Sequence, residues 1–284
     1  MNPFRFRVCA LRSAVTALAV AGMLSACTSA GGSQAPSADC VPAHENLDLI
    51  SAGTLTIGVS DMPPQSSTTG PDGYSGLDAD IINGFAATEC LSVTPISGAS
   101  SAMVPGVEQH RWDTALGGWY RTEKRNEVVT MADPMYLDSL AIIAAEPETI
   151  TSLEGKRVGT VDGYLYVPDL KSVYGDNLTL YPSVLELAQD LKAGRIDAAI
   201  DGAVSAPTTY GDAFVISVPD ADPRVSATSV PGQCSLPFAK SNTTLLAAFN
   251  DYIAAIKLDG TLAELLTEYG IDPKLADTGA PRLL

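Results

Sequence analysis

The sequence predicts an α/β fold of two lobes with a cleft between them, and three features of its pattern support this prediction. Strand-like and helix-like segments alternate along the chain, as they do where helices pack on a largely parallel sheet. The alternation breaks at residues 146–148 and then begins again. The last two helical segments have no sheet of their own, so we expect the chain to return to the first lobe. Two crossings would leave an interlobe cleft, where ligands commonly bind.

The first block contains alternating strand-like and helical segments and ends in an apolar stretch. Polar and apolar residues alternate over residues 54–59, which predicts a half-buried strand, and the turn-rich segment 60–65 with Pro63 and Pro64 follows it. Apolar residues at helical spacing predict a helix over residues 77–89. We then expect a strand at 91–96, a short helix at 101–108, a strand at 113–116 and a β-prone segment at 136–144.

The second block repeats this alternation, and the chain then changes character. Strands are predicted at 156–161, 178–181 and 196–200, with Ser183 and Glu186 forming a capping box before a helix. A strand at 235–239, a long amphipathic helix over 245–256 and a final helix complete the chain, and Thr261 and Glu264 are predicted to form a second capping box at the start of that last helix. We therefore assign residues 41–138 and 227–284 to lobe 1 and residues 139–226 to lobe 2.

Residues 1–26 have the organisation of a lipoprotein signal peptide. Three arginines precede an apolar run at residues 13–23, which is shorter than the about 20 residues that a membrane-spanning helix needs. Leu-Ser-Ala-Cys at residues 24–27 resembles the lipobox of bacterial lipoproteins, which implies cleavage before Cys27 and its acylation. A cleaved secretory peptide with an accidental cysteine is the alternative. Residues 27–40 are small and polar, as in a flexible tether.

Charge and cysteine content limit the classes of function. A formal net charge of −16 disfavours binding to nucleic acid or to anionic lipid headgroups. Cys40, Cys90 and Cys234 indicate one disulfide and one buried thiol in an oxidising compartment, but the sequence does not identify the pair. No C-x-x-C pair occurs and both histidines are isolated, so we expect neither a metal site nor a cofactor.

Arg125 occupies an unusual position in the segment from Asp113 to Tyr136. Thr122 is placed to cap a short helix, and a capping box would have Glu or Gln where Arg125 stands. The helix dipole also disfavours a cation in the first turn, so Arg125 needs an anionic partner. A bound carboxylate is one candidate, and a surface pair with Glu127 or Asp133 is the other.

Eight sequence landmarks, in order, are similar to those of one protein family. The chain resembles the polar amino acid branch of bacterial extracellular solute-binding proteins, the receptors of ABC importers, over about residues 50–272. The resemblance implies a two-lobed, periplasmic-binding-protein-like fold of type II. The landmarks are G-T-L-T-I-G-V, G-Y-S-G-L-D-A-D-I-I, W-D-T-A-L-G-G, R-T-E-K-R, M-A-D-P-M-Y, L-E-G-K-R-V-G-T-V-D-G, G-R-I-D-A-A-I and D-G-T-L-A-E-L-L-T-E-Y-G.

The resemblance implies roles for three residues. Arg125 matches the arginine that binds the ligand's α-carboxylate, and Gly118 matches a position whose carbonyl accepts from the ligand's amine. Asp61 lies in a turn that contacts ligand in some members.

Three departures from the family pattern put the usual specificity in doubt. Tyr120 replaces a small hydroxyl residue, and Tyr164 begins a Tyr-Leu pair in place of Thr-Thr. The amine-binding aspartate would fall on Gly202, and Asp201 precedes that position by one. We therefore expect an aromatic-enriched pocket, since aromatic faces favour flat or cationic groups. Alternatively, the two tyrosines pack between the lobes and Asp201 is an ordinary strand-end carboxylate.

Trp119 is a further candidate for ligand contact. It stands beside Tyr120 in the same strand-like segment, so strand alternation would turn the two side chains to opposite sides. The alternative is therefore that Trp119 faces away from the ligand.

The resemblance implies a receptor that captures a small amino acid-like or carboxylated solute by lobe closure. Its expected partners are the solute, an ABC transporter permease and, through the lipid anchor, the cell membrane. We expect an extracytoplasmic, monomeric protein with no enzymatic activity. One alternative is a cyclohexadienyl dehydratase-like enzyme that uses Asp61, Glu123 or Asp201 as an acid. A ligand-sensing lipoprotein is the other.

Overall fold

The computed structural model describes residues 39–284. The predicted signal peptide at residues 1–26, Cys27 and nearly all of the predicted tether lie outside the described residues. Within residues 39–284, none of the helices combines the length and apolar character needed to cross a membrane.

Thirteen strands form two five-stranded sheets and one three-stranded ladder within the described residues. The strands are β1 Thr54–Val59, β2 Ser92–Ser97, β3 Thr114–Leu116, β4 Trp119–Tyr120, β5 Val129–Met131, β6 Tyr136–Asp138, β7 Leu140–Ala144, β8 Val158–Val161, β9 Leu178–Tyr181, β10 Ala198–Gly202, β11 Val215–Ser217, β12 Gly232–Ser235 and β13 Pro237–Ala239.

Sheet 1 has the order β2-β1-β3-β13-β5, and sheet 2 has the order β11-β7-β10-β8-β9. Strands β1, β2 and β3 are parallel to one another, as are β8, β9 and β10. Strands β13 and β7 run antiparallel to their neighbours, so both sheets are mixed rather than purely parallel. The antiparallel strands are those that directly follow a crossing, because the chain enters each sheet there from the other side.

A three-stranded ladder, β4-β12-β6, lies where the chain passes between the two sheets. The β-prone segment predicted at 136–144 is divided at Ser139, with β6 in the ladder and β7 in sheet 2. The segment predicted at 235–239 is likewise divided at Leu236, with β12 in the ladder and β13 in sheet 1. β6 and β12 pair antiparallel, and Tyr136 faces Cys234 across them. We call this the crossing ladder.

Eight α-helices cover the two sheets within the described residues. They are α1 Leu77–Thr88, α2 Ser100–Glu108, α3 Glu123–Val128, α4 Val167–Tyr174, α5 Val184–Lys192, α6 Ala206–Tyr210, α7 Thr243–Leu258 and α8 Thr261–Glu268.

The ends of these helices test the predicted caps. Ser183 caps α5, since its hydroxyl accepts from the Glu186 N–H at 3.3 Å, so the predicted cap is confirmed. The reciprocal bond from the Ser183 N–H to the Glu186 side chain stays a prediction. The predicted capping box at Thr261 is wrong. Thr261 is the first residue of α8, Gly260 precedes it in a left-handed conformation, and the Thr261 N–H donates to Asp259 instead.

The last helices pack on the first sheet, as the sequence predicts. Phe249 of α7 meets Phe85 of α1 edge to face, with ring centroids 5.3 Å apart, and also contacts Phe238 of β13. These residues belong to one buried cluster with strand β1, while a second cluster surrounds sheet 2. Burial of each large apolar side chain contributes roughly 1.5–3 kcal/mol. The exact division into lobes at residues 138 and 226 stays a prediction.

The cysteine prediction is confirmed and now has a pairing. Cys40 and Cys90 form a disulfide with their Cα atoms 5.8 Å apart, which ties the segment before β1 to the end of α1. Cys234 is a buried free thiol in the crossing ladder.

Candidate functional site

A small cavity lies between the two sheets, beside the crossing ladder. Its volume is about 30 Å³, which is room for roughly two ordered water molecules. Loops that follow β1, β3 and β8 contribute to its wall, as expected where carboxyl ends of parallel strands meet a crossing. The lining residues are Met62, Gly117, Gly118, Trp119, Tyr120, Arg125, Asp138, Tyr164, Leu165, Tyr166 and Gly202.

Gly117 and Gly118 form a turn between β3 and β4, and its conformation explains the pair of glycines. Their φ angles are +137° and +59°, which side chains rarely allow. The buried carboxylate of Asp78 in α1 accepts from both N–H groups, at 3.0 and 2.8 Å. Tyr136 donates its hydroxyl to the other oxygen of Asp78 at 2.9 Å. Asp78 therefore holds the turn on the side facing α1, and Gly118 lies on the cavity wall.

Arg125 reaches the same wall from α3. Thr122 caps this helix, since its hydroxyl accepts from the Arg125 N–H at 3.1 Å, and the predicted cap is confirmed. The guanidinium donates to the Tyr120 carbonyl at 2.8 Å and to the Gly163 carbonyl at 3.4 Å, and it lies 4.9 Å above the Trp119 ring. Burial lowers the pKa of Arg125 to about 10, so the side chain remains a cation at neutral pH.

No carboxylate of residues 39–284 lies within ion-pair distance of Arg125. The surface pairs with Glu127 or Asp133 that the sequence left open are therefore not formed. Two of the five guanidinium N–H groups are used by carbonyl oxygens, which leaves donors available on a cavity wall.

Trp119 and Tyr120 both line the cavity, although they are successive residues of β4. The Tyr120 ring lies so close to Gly232 of β12 that a side chain at position 232 would collide with it. The Trp119 indole N–H and the Tyr120 hydroxyl are buried without a hydrogen-bond partner among the described residues. Buried polar atoms normally have partners, so the Trp119 N–H is a donor available to a polar ligand, whereas the Tyr120 hydroxyl lies beside the carboxyl group of Asp138 and lowers its pKa.

Tyr164 also lies on the wall, and it connects the cavity to Asp201. Its hydroxyl donates to Asp201 Oδ1 at 3.1 Å, and that of Tyr210 donates to Oδ2 at 3.0 Å. Asp201 is fully buried, burial raises its pKa, and it is not among the lining residues. The structure therefore places it behind Tyr164, so a direct contact between Asp201 and a ligand stays a prediction without geometric support.

Asp61 is likewise turned away from the cavity. Both its oxygens accept from the Thr68 hydroxyl, at 2.9 and 2.8 Å, and Oδ1 also accepts the Thr68 N–H at 2.7 Å. Met62, the next residue, lines the cavity in its place. The predicted contact between Asp61 and a ligand therefore also stays a prediction, and the geometry does not support it.

Comparison with known protein families identifies the family of this chain. The family model of bacterial extracellular solute-binding proteins, family 3, matches residues 55–272, which is more than half of the chain. The chain belongs to this family. The solute-binding protein therefore carries the predicted family pattern, and its two-sheet α/β architecture is the one expected.

Two curated relatives of this solute-binding protein come from Escherichia coli K12. The lysine/arginine/ornithine-binding periplasmic protein is 25% identical over 230 residues, covering 76% of this chain and 87% of the relative. The ABC transporter arginine-binding protein 1 is 26% identical over 225 residues, covering 77% and 91%. Both relatives are named as binding proteins.

Solved structures confirm the fold of the solute-binding protein. A substrate-binding protein of an amino acid ABC transporter aligns with a TM-score of 0.69 at 21% identity, covering 76% of this chain and 99% of the other. An ancestral amino acid-binding protein, described as a precursor of cyclohexadienyl dehydratase, aligns with a TM-score of 0.65 at 21% identity, covering 76% and 95%. At this identity the likeness establishes the fold alone.

Sequence reasoning missed four residues of the cavity wall as site candidates: Met62, Gly117, Asp138 and Tyr166. Asp138 is the most consequential, because it is a buried carboxylate on that wall. A signal was present in the sequence, since Asp138 is the one charged residue in the apolar segment 136–144. Residues 39–284 contain no group of three or more potential ligands that could hold a metal ion.

Proposed function

We propose that this solute-binding protein is the substrate-binding component of an ABC importer and captures a small amino acid-like or carboxylated solute between its lobes. The observation that carries the proposal is Arg125, a guanidinium on the cavity wall with no carboxylate partner among the described residues. A guanidinium binds a carboxylate through two parallel, charge-assisted hydrogen bonds, which are among the strongest hydrogen bonds that an arginine forms.

The surroundings of Arg125 support a role as a carboxylate clamp. The Trp119 ring covers one face of the guanidinium, while two carbonyl oxygens fix its orientation. A planar cation held in this way is preorganised, so little side-chain entropy is lost when an anion binds. Gly118, with its restrained turn, is the proposed acceptor for the ligand's amine.

The wall of the cavity is aromatic beside the crossing ladder. Rings of Tyr120, Tyr164 and Tyr166 enclose a space of about 30 Å³. A second cavity of about 490 Å³ shares Trp119, Arg125, Tyr164 and Leu165 with this one, so the small space limits only the part of a ligand that lies beside the crossing ladder. We propose a small amino acid-like solute or carboxylate, in contact with Tyr120, Tyr164 and Trp119.

Contacts across the cavity support capture by lobe closure. In the proposed division, Arg125 belongs to lobe 1 and Gly163 to lobe 2, and the guanidinium joins them through the Gly163 carbonyl. A side chain at position 163 would press on the backbone of Ser101, so the two lobes are in close contact there. A ligand held by Arg125 would thus be enclosed by residues of both lobes.

The extracytoplasmic location and the lipid anchor are also part of the proposal. They are supported by the signal peptide pattern at residues 1–26, by Cys27, and by relatives named as periplasmic. A monomer tethered to the membrane would deliver its solute to a permease. The Cys40–Cys90 disulfide supports an oxidising compartment.

A thermal-shift screen of the purified mature chain tests the proposed function. The panel contains glycine, alanine, serine, longer amino acids including arginine, and simple carboxylates. A ligand at 100 times its dissociation constant stabilises the folded state by roughly 2.7 kcal/mol, which is a readily measured shift. We expect at least one amino acid of the panel to raise the melting temperature. Absence of a shift with every carboxylate in the panel would contradict the proposal.

A further inference from the structure

Asp138 is a buried carboxylate at the end of β6, where the chain leaves the crossing ladder. Only 4% of its surface is exposed, and it lies on the cavity wall. Its Oδ1 accepts the N–H groups of Ser139 at 2.7 Å and Val204 at 2.9 Å. These two backbone groups fix the carboxylate in position.

The second oxygen, Oδ2, points toward Gly202 of β10. A side chain at position 202 would collide with this oxygen, so only glycine leaves the space that Oδ2 occupies. Gly202 also lines the cavity. Asp138 and Gly202 therefore fit together: because Gly202 has no side chain, the carboxylate of Asp138 can lie beside the cavity.

The cavity thus has a cation and an anion on its wall without an ion pair between them. Arg125 has no carboxylate partner, and Asp138 has no cationic partner among residues 39–284. An unpaired buried charge is costly, so both groups favour a ligand that brings the opposite charge. Burial is the main cause that raises the pKa of Tyr166, and smaller effects of Asp138, which raises it, and of Arg125, which lowers it, fit a ring that lies near both groups.

We propose that Asp138 forms an ammonium subsite, so that the ligand is a small zwitterion with its carboxylate at Arg125 and its amine at Asp138 Oδ2. This inference rests on the proposed function and deepens it, because it assigns recognition of the ligand's amine to Asp138. It also gives the ligand's amine a carboxylate partner. Asp61 and Asp201 do not line the cavity, so the geometry does not support either of them in this role.

The titration of Asp138 makes this subsite sensitive to pH. Burial is the main cause that raises the pKa of Asp138 to about 7, and the nearby carboxyl group of Asp201 raises it further. The other titratable groups that face it are the side chains of Tyr120, Tyr136, Tyr166 and Cys234. An ammonium group binds the ionised carboxylate more strongly than the neutral carboxyl group. Below pH 7, Asp138 must therefore release its proton when the ligand binds.

The direct test compares an amino acid with its deamino analogue by calorimetry. The probe is the tightest-binding small amino acid of the thermal-shift panel, paired with the carboxylic acid in which hydrogen replaces the ammonium group. We expect the wild-type protein to prefer the amino acid by tenfold or more, in line with about 1.4 kcal/mol for each factor of ten. Asp138→Asn, which keeps an oxygen for Ser139 and Val204, should lose this preference.

The pH profile gives a second readout that a purely structural role would not produce. Between pH 7 and pH 5 the wild-type affinity should fall roughly tenfold per pH unit, because one proton is displaced. In Asp138→Asn the affinity should be nearly constant over this range. Asp133→Asn removes the same charge from an exposed position near β6 and should behave as wild type.

A second variant covers the case in which Asp138→Asn does not fold. Gly202→Ala would push against Oδ2 and displace the carboxylate, so it should weaken binding of the amino acid far more than of the deamino acid. Retention of the full amine preference in either folded variant would overturn the proposal. Equal wild-type affinity for both ligands would also overturn it while leaving the carboxylate clamp intact. Binding of neither ligand would contradict the proposed function itself.

Discussion

The carboxylate of Asp78 holds the backbone N–H of Gly118 at 2.8 Å, and this bond joins helix α1 to the turn that carries the cavity wall. The same oxygen accepts from Gly117, so one buried side chain fixes two successive peptide groups. The binding surface around Gly118 therefore depends on a residue that does not itself line the cavity.

Asp78→Asn should lower both stability and ligand affinity. Asparagine keeps one oxygen for the two glycine N–H groups, but it loses the charge that strengthens these bonds and turns an NH₂ group toward the Tyr136 hydroxyl. Weakened hydrogen bonds to a buried charged group cost roughly 1.5–3 kcal/mol. Urea denaturation should show a loss of about 2 kcal/mol, and calorimetry should show weaker binding. Asp80→Asn, on the same helix but exposed, is the control, and an equal effect of both substitutions would contradict this role.

The free energy of unfolding of the ligand-free protein should decrease as pH rises from about 4 to about 7. Burial raises the pKa of Asp138 to about 7, so its carboxyl group keeps a proton in the folded state over a range where the unfolded chain has lost it. The stabilising effect is therefore complete at low pH and is lost as pH approaches 7. Burial also raises the pKa of Asp78 and of Asp201, which act in the same direction.

Urea denaturation at pH 5 and at pH 8 measures this effect when wild type is compared with Asp138→Asn. The wild-type protein should lose a few kcal/mol more than the variant between the two pH values, at 1.36 kcal/mol for each unit of pKa shift. Carboxylates with lowered pKa, such as Asp222, act in the opposite direction but equally in both proteins. Identical pH dependence in the two proteins would contradict the assignment.

Removal of the Cys40–Cys90 disulfide should lower stability by roughly 2–4 kcal/mol, because the crosslink restricts a long loop of the unfolded chain. The double variant Cys40→Ser/Cys90→Ser should therefore unfold at lower urea concentration. Reductant should reproduce this loss in the wild-type protein and leave the double variant unchanged. Equal midpoints for wild type and double variant would show that the crosslink does not contribute.

Cys27→Ser should release the protein from the membrane if Cys27 is the acylated residue. In the source bacterium or a bacterial host, the wild-type chain should incorporate a labelled fatty acid and sediment with membranes. The variant should do neither, while Cys234→Ser, at a buried cysteine of the crossing ladder, should remain anchored. Continued fatty-acid labelling of the Cys27 variant would contradict the assignment.

The sequence was informative where local pattern and fold agree. The helix over residues 77–89 and the strand at 178–181 follow from periodicity, and the Thr122 cap follows from local hydrogen bonding. Arg125 was identified because a cation in a first helical turn conflicts with the dipole, and such a conflict points to a tertiary role.

The remainder could not be predicted because it depends on contacts between distant segments. Asp138 and Gly202 are 64 positions apart, and only the fold brings Oδ2 of one to the missing side chain of the other. Asp61 looked available in the sequence, but the neighbouring Thr68 occupies both of its oxygens. The capping box at Thr261 failed because Gly260 and Asp259 satisfy the helix start instead.

Calorimetry on Arg125→Ala tests the central claim, that a ligand carboxylate binds this guanidinium. The matched control is Arg111→Ala, since the Arg111 guanidinium also lies over a tryptophan ring, 5.0 Å above Trp112, but away from the cavity. Loss of one partner of a buried ion pair costs roughly 3–5 kcal/mol, so the affinity of Arg125→Ala for the best small amino acid should fall a hundredfold or more. Arg111→Ala should bind as wild type. Unchanged affinity in a folded Arg125→Ala protein would contradict the account.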